Sequence, residues 1–280
     1  MQALLRSLVF LPCLLSALQA RSETVTFPTA NPEVAGGHIV VTGVLTKPGG
    51  LGPFPSVVLL HTCGGLQGHV ANDWPKFLAT QGYVALAVDS FGSRGLGPCP
   101  NALVPPRPGT KTYASGAMIS DAHGALEWLE RQEFAVGRPK AVMGFSLGGM
   151  AIHLSLLRAY ANASRARTFD IAIVLYGPCA VRSGAVAMRR LNRSPLPLLE
   201  IIGARDERIL RECRRLLPEG PWTELHILPD AYHNFDNPRH RKFRHSMGGS
   251  PMLFSAEATE MSRDLVKRFL ARRLSGSRAQ

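Results

Sequence analysis

The stretch Lys140-Ala141-Val142-Met143-Gly144-Phe145-Ser146-Leu147-Gly148-Gly149 decides how this chain is read. Lys140 to Phe145 reads as an apolar strand, and Leu147 to Ala161 reads as a helix. Ser146 stands at the junction, with Gly144 and Gly148 two residues to either side. A strand that passes into a helix this abruptly holds the joining residue in a strained backbone and thrusts its side chain clear. Side chains at the two glycine positions would clash in so tight a turn. The helix N-terminus then offers the Leu147 amide and a positive dipole to a developing oxyanion. G-x-S-x-G alone is a weak signal. Strand before and helix after turn it into a nucleophile elbow, with Ser146 as the nucleophile.

A serine hydroxyl needs a base, and the base needs a carboxylate to orient it. Downstream of an elbow the order is acid, then histidine. The segment Ile201-Ile202-Gly203-Ala204-Arg205-Asp206 sets Asp206 just past an apolar strand, where parallel sheets build their sites. Leu228-Pro229-Asp230-Ala231-Tyr232-His233-Asn234-Phe235 sets His233 just past the last strand. Glu207 and Asp230 are rival acids. His61 and His69 precede Ser146 and so have the wrong order for the base. A second oxyanion donor is expected from the loop His61-Thr62-Cys63-Gly64-Gly65, where the amide of Cys63 is the candidate.

Outward from these segments, short β-branched runs alternate with helical patterns. Val25 to Phe27, His38 to Leu45, Ser56 to Leu60, Tyr83 to Val88, Ile171 to Tyr176, Leu198 to Ile202 and Glu224 to Leu228 read as strands. Asn72 to Gln81, Asp121 to Arg131, Glu207 to Leu217 and Ala256 to Arg273 read as helices. This alternation predicts an α/β protein with a mostly parallel central sheet and helices on both faces. Two long loops, Asp89 to Lys111 and Asn237 to Phe254, are expected to border the site.

The chain has 280 residues, 45% of them hydrophobic and 19% charged, which fits one folded domain over residues 21–280. Residues 1–20 read as a secretory signal peptide: Arg6, an apolar run from Leu8 to Leu18, then an abruptly polar Arg21-Ser22-Glu23. A secreted or periplasmic location follows as an expectation. No later stretch predicts stable membrane insertion. Four of the five cysteines lie beyond the leader, an even number that suits disulfides in an exported protein. The formal charge is +12, or +11 once Arg6 leaves. The arginines are scattered and no nucleic-acid motif is present, so the charge points to solubility and loose attraction to anionic surfaces.

Taken together, four stretches resemble the dienelactone hydrolase family of the α/β-hydrolase fold, over roughly residues 38–272. They are Val57-Val58-Leu59-Leu60-His61 with Cys63-Gly64-Gly65, Val88-Asp89-Ser90-Phe91-Gly92-Ser93-Arg94-Gly95, Met143 to Gly149, and Ala231-Tyr232-His233-Asn234-Phe235. The resemblance implies Ser146 as nucleophile, Asp206 as acid and His233 as base, cleaving a small-molecule ester or lactone without metal or cofactor. It also implies that Arg94 holds a substrate carboxylate. The name-giving members use cysteine as nucleophile, so serine here favours a general carboxylesterase. The topology implied by the resemblance favours the pairs Cys63–Cys99 and Cys179–Cys213. Peptide cleavage, acyl transfer and a non-catalytic binding role on the same scaffold are the rival readings.

Overall fold

The computed structural model describes residues 20–35, 37–98, 114–161, 169–179, 196–217, 220–246 and 248–274. The leader lies outside these, apart from Ala20, and so do Cys99 and most of the long loop after Asp89.

Eight strands form one sheet: β1 (Arg21–Pro28), β2 (Val40–Lys47), β3 (Ser56–Leu60), β4 (Val84–Asp89), β5 (Lys140–Phe145), β6 (Ile171–Leu175), β7 (Leu198–Gly203) and β8 (Thr223–Leu228). Their spatial order is β1-β2-β4-β3-β5-β6-β7-β8. β1 with β2 and β2 with β4 run antiparallel; every pairing from β4 to β8 is parallel. The central strands β3, β5 and β6 are buried along their whole length. That is why they read as unbroken apolar runs rather than as an alternation.

Residues of each strand nonetheless alternate between two cores. Val58, Leu60 and Val142 face α3 (Ala114–Leu129), α4 (Leu147–Ala161) and α5 (Glu207–Leu216). Val57, Leu59 and Met143 face α2 (Trp74–Thr80) and α6 (Ala256–Leu274). A four-residue turn of helix, α1 (Pro32–Ala35), lies between β1 and β2. The fold is the expected α/β sheet with helices on both faces. The helix expected over 72–81 is shorter: its first part is a single π-turn, His69–Asp73, and Pro75 sits in the first turn of α2, where no N–H is missed. β1 is longer than the sequence suggested because all eight of its residues pair with β2.

The Cys179–Cys213 disulfide ties the loop after β6 to α5. Cys63 is disulfide-bonded as well; its expected partner, Cys99, lies outside the described residues.

Candidate active site

Ser146 carries φ of +53°, which non-glycine residues seldom adopt. The strain is held by backbone bonds: the Ser146 amide donates to Leu175 at 3.0 Å and the Gly148 amide to His61 at 3.1 Å. A Cβ on Gly148 would lie 2.3 Å from the Leu60 carbonyl, and one on Gly144 would lie 2.5 Å from Gly148. The two glycines of the motif are therefore required by close backbone approach. Leu147 opens α4, and its amide has no acceptor among the described residues.

His233 lies past the end of β8. Its Nε2 is 2.9 Å from Ser146 Oγ, and its Nδ1 is 2.6 Å from Asp206 Oδ2. With Asp206 ionised, Nδ1–H donates to the carboxylate and Nε2 accepts from the serine hydroxyl. Asp206 is fully buried at the position just before α5, its side chain turned to His233, whereas the rival Asp230 is exposed and spent on Arg205 at 2.6 Å. Glu207 is exposed on the first turn of α5. The loops of Asp206 and His233 meet directly, since the Arg205 amide donates to Ala231 at 2.9 Å. Gly203 permits that meeting: its Cβ would lie 2.2 Å from the Ala231 carbonyl.

Further support comes from residues the sequence did not single out. Tyr176, with φ of +44°, is wholly buried and packs its ring 5.0 Å from the His233 ring. Its hydroxyl donates to Asp236 Oδ1 at 2.6 Å, and Trp74 Nε1–H donates to Asp236 Oδ2 at 2.7 Å. Burial, reinforced by the Asp236 charge, pushes the Tyr176 phenol well above its ordinary value, so it stays a donor. Asn234 follows the base and donates to His240 Nε2 at 2.9 Å. A two-stranded hairpin, β9 (Arg244–His245) with β10 (Pro251–Met252), takes the His233 amide at 2.9 Å. The sequence showed an aromatic-rich Ala231 to Phe235 loop, but not that Asp236 would gather a tryptophan and a tyrosine from two other elements.

The loop at 61–65 lies beside the elbow. Gly64 and Gly65 spend their amides on Thr62, at 3.1 Å each, and Cys63, the expected donor, lies between Thr62 and Gly64 in this turn. His61 is fully buried, and desolvation holds its imidazole below the ordinary value. Its position and neutrality fit a structural role.

Arg94 is placed differently from expectation. It makes a two-pronged pair with buried Asp121, at 2.7 and 2.9 Å, and its remaining N–H groups reach the carbonyls of Ser90 and Ala35. All five guanidinium donors are engaged. The side chain thereby joins α1, the loop after β4 and α3.

The family profile of dienelactone hydrolases matches residues 41–274. The chain belongs to the dienelactone hydrolase family. Membership places it among the hydrolases that act on esters. Among solved structures it resembles the dienelactone hydrolase from Anabaena variabilis, with a TM-score of 0.62 at 18% identity, covering 91% of this chain and 99% of that one. It also resembles a dienelactone hydrolase-like promiscuous phosphotriesterase from metagenomic libraries, with a TM-score of 0.63 at 21% identity, covering 90% and 98%. At such identities the likeness speaks for the fold. A hydrolase fragment of Escherichia coli (strain K12), YghX, is 37% identical over 75 residues, 26% of this chain and 59% of that fragment.

Proposed function

We propose that this chain cleaves carboxylic esters or lactones through an acyl-enzyme on Ser146. The observation that carries the reading is the unbroken hydrogen-bonded line from Ser146 Oγ through His233 to buried Asp206, at 2.9 and 2.6 Å. His233 takes the serine proton as Oγ attacks the carbonyl carbon. The amides of Leu147 and Cys63 receive the oxyanion, each contributing about 2–4 kcal/mol by analogy with known oxyanion donors. The imidazolium, stabilised by Asp206, gives its proton to the departing alcohol. Water, deprotonated by the same imidazole, then releases the acid.

A peptidase or acyltransferase reading has no observation of its own in its favour, and a binding protein would not need an intact serine–histidine–aspartate line. The leader reading of residues 1–20 would place the enzyme outside the cytoplasm; the N-terminus of the mature protein, sequenced after expression in a secreting host, checks this.

The test is hydrolysis of p-nitrophenyl esters from acetate to decanoate by wild type and Ser146→Ala, with a fluorophosphonate probe on both. We expect turnover and labelling in the wild type, and a loss of roughly 10³-fold or more in the variant. A variant that kept wild-type turnover would end this reading.

A further inference from the structure

Behind the elbow lies a second cluster that the hydrolytic reading does not use. Glu200 sits in the middle of β7, where every neighbour is apolar, and is fully buried. A buried carboxylate is costly unless it is paired. Its partner is His153 of α4, also fully buried, with Nε2 at 3.0 Å from Glu200 Oε2. Beside them runs the Cys179–Cys213 disulfide. One ligand atom from each of His153, Cys179 and Glu200 lies within 4.8 Å of the others. The four side chains arrive from four elements: α4, the loop after β6, β7 and α5.

We infer that reduction of the Cys179–Cys213 disulfide converts this cluster into a tetrahedral site for zinc or a similar divalent cation. Its ligands are the two thiolates, His153 Nε2 and a Glu200 oxygen. The donor set is one that zinc takes, sulfur and nitrogen with a carboxylate, and four ligands close the shell as in structural sites. Three ligands already converge. The fourth, Cys213 Sγ, is bonded to the third and is released beside it when the bond breaks.

The second observation is the orientation of the imidazole. His153 Nδ1 lies 3.0 Å from the Pro178 carbonyl and so carries the ring proton toward it, leaving Nε2 aimed at Glu200. A histidine that ligates through one nitrogen characteristically donates the other N–H to a carbonyl or carboxylate, and here that outer contact is already made.

The chemistry balances. A phosphine reduces the disulfide to two thiols, taking oxygen from water to become phosphine oxide. The dication then displaces both thiol protons and the proton shared by His153 and Glu200. The covalent link between the loop after β6 and α5 is replaced by a metal link between the same elements. α5 follows directly on Asp206, so either link anchors the helix next to that residue.

The experiment is a cobalt(II) titration of the full chain, oxidised and phosphine-reduced, followed by zinc. Readouts are the visible bands of tetrahedral cobalt, the near-ultraviolet thiolate-to-cobalt band, and the urea midpoint. We expect both bands only after reduction, at one cobalt per chain, quenched by zinc, with a higher urea midpoint for the zinc-loaded reduced protein. Cys179→Ala/Cys213→Ala, which keeps the other cysteines, should lose the bands. A reduced chain, folded or not, that gives no tetrahedral spectrum and gains no stability from zinc overturns the inference. So do bands that persist in the double variant, since they belong to other thiols. None of these readouts is ester turnover, so the result stands apart from the fate of the catalytic reading.

Discussion

At the scale of single residues, the site is a chain of dependencies that ends in carboxylates. Asp206 fixes which nitrogen of His233 is protonated, so Asp206→Asn should leave the fold intact and present the wrong tautomer to Ser146. A loss on the order of 10⁴-fold in kcat is the precedent for that change in a serine triad. Turnover of p-nitrophenyl acetate, with circular dichroism as the control, measures it; a loss under tenfold would mean that Asp206 does not orient the base. Tyr176 acts one step further out. Tyr176→Phe keeps the ring against His233 but takes the 2.6 Å donor from Asp236, which is buried. An acceptor short of its donor costs about 1–3 kcal/mol. The urea midpoint should fall accordingly while kcat falls less than tenfold. An unchanged midpoint would show that water or Asn234 replaces the phenol.

At the scale of elements, the site exists because loops from different strands touch. Gly203 is the narrowest of these contacts. Gly203→Ala sets a methyl 2.2 Å from the Ala231 carbonyl, a backbone atom that cannot turn aside. The loops of Asp206 and His233 must separate, and kcat should fall at least 10²-fold with a lower melting temperature. Wild-type kcat in a folded Gly203→Ala protein would show that the loops have slack. This is also where sequence reading reached its limit. Ser146, His233 and Asp206 were legible because each follows an apolar strand, and strand ends are visible in composition. The elbow glycines were legible because their spacing is local. The Asp236 network was not, because Trp74, Tyr176 and Asp236 are far apart in the chain and each has an ordinary local setting. The ion-pair partner of Arg94 was hidden for the same reason. The arginine's position after β4 is local, but its occupation is set by Asp121 on α3, and nothing near Arg94 announces that pairing.

At the scale of the whole molecule, buried and half-buried histidines tie stability to pH. His61, His69, His123 and His240 are each held below the ordinary imidazole value of 6.5, first of all by desolvation. Between their folded values and 6.5 the unfolded chain binds more protons than the folded one. Stability should therefore fall as pH drops below 6.5, most through the buried His61 and His69 and less through the half-buried His123 and the partly exposed His240. His153 works the other way, since its folded value is raised. Its contribution is fully present below 6.5 and is lost as pH climbs through the raised value. Burial raises Glu200 as well, so as pH falls towards the carboxylate range this group opposes part of the acid-side loss. The urea midpoint should peak near pH 6.5 and decline on both sides. Midpoints measured between pH 8.5 and 5 give the curve. His69→Gln should flatten its acid limb, and an acid limb as steep in that variant as in the wild type would assign the loss to other groups.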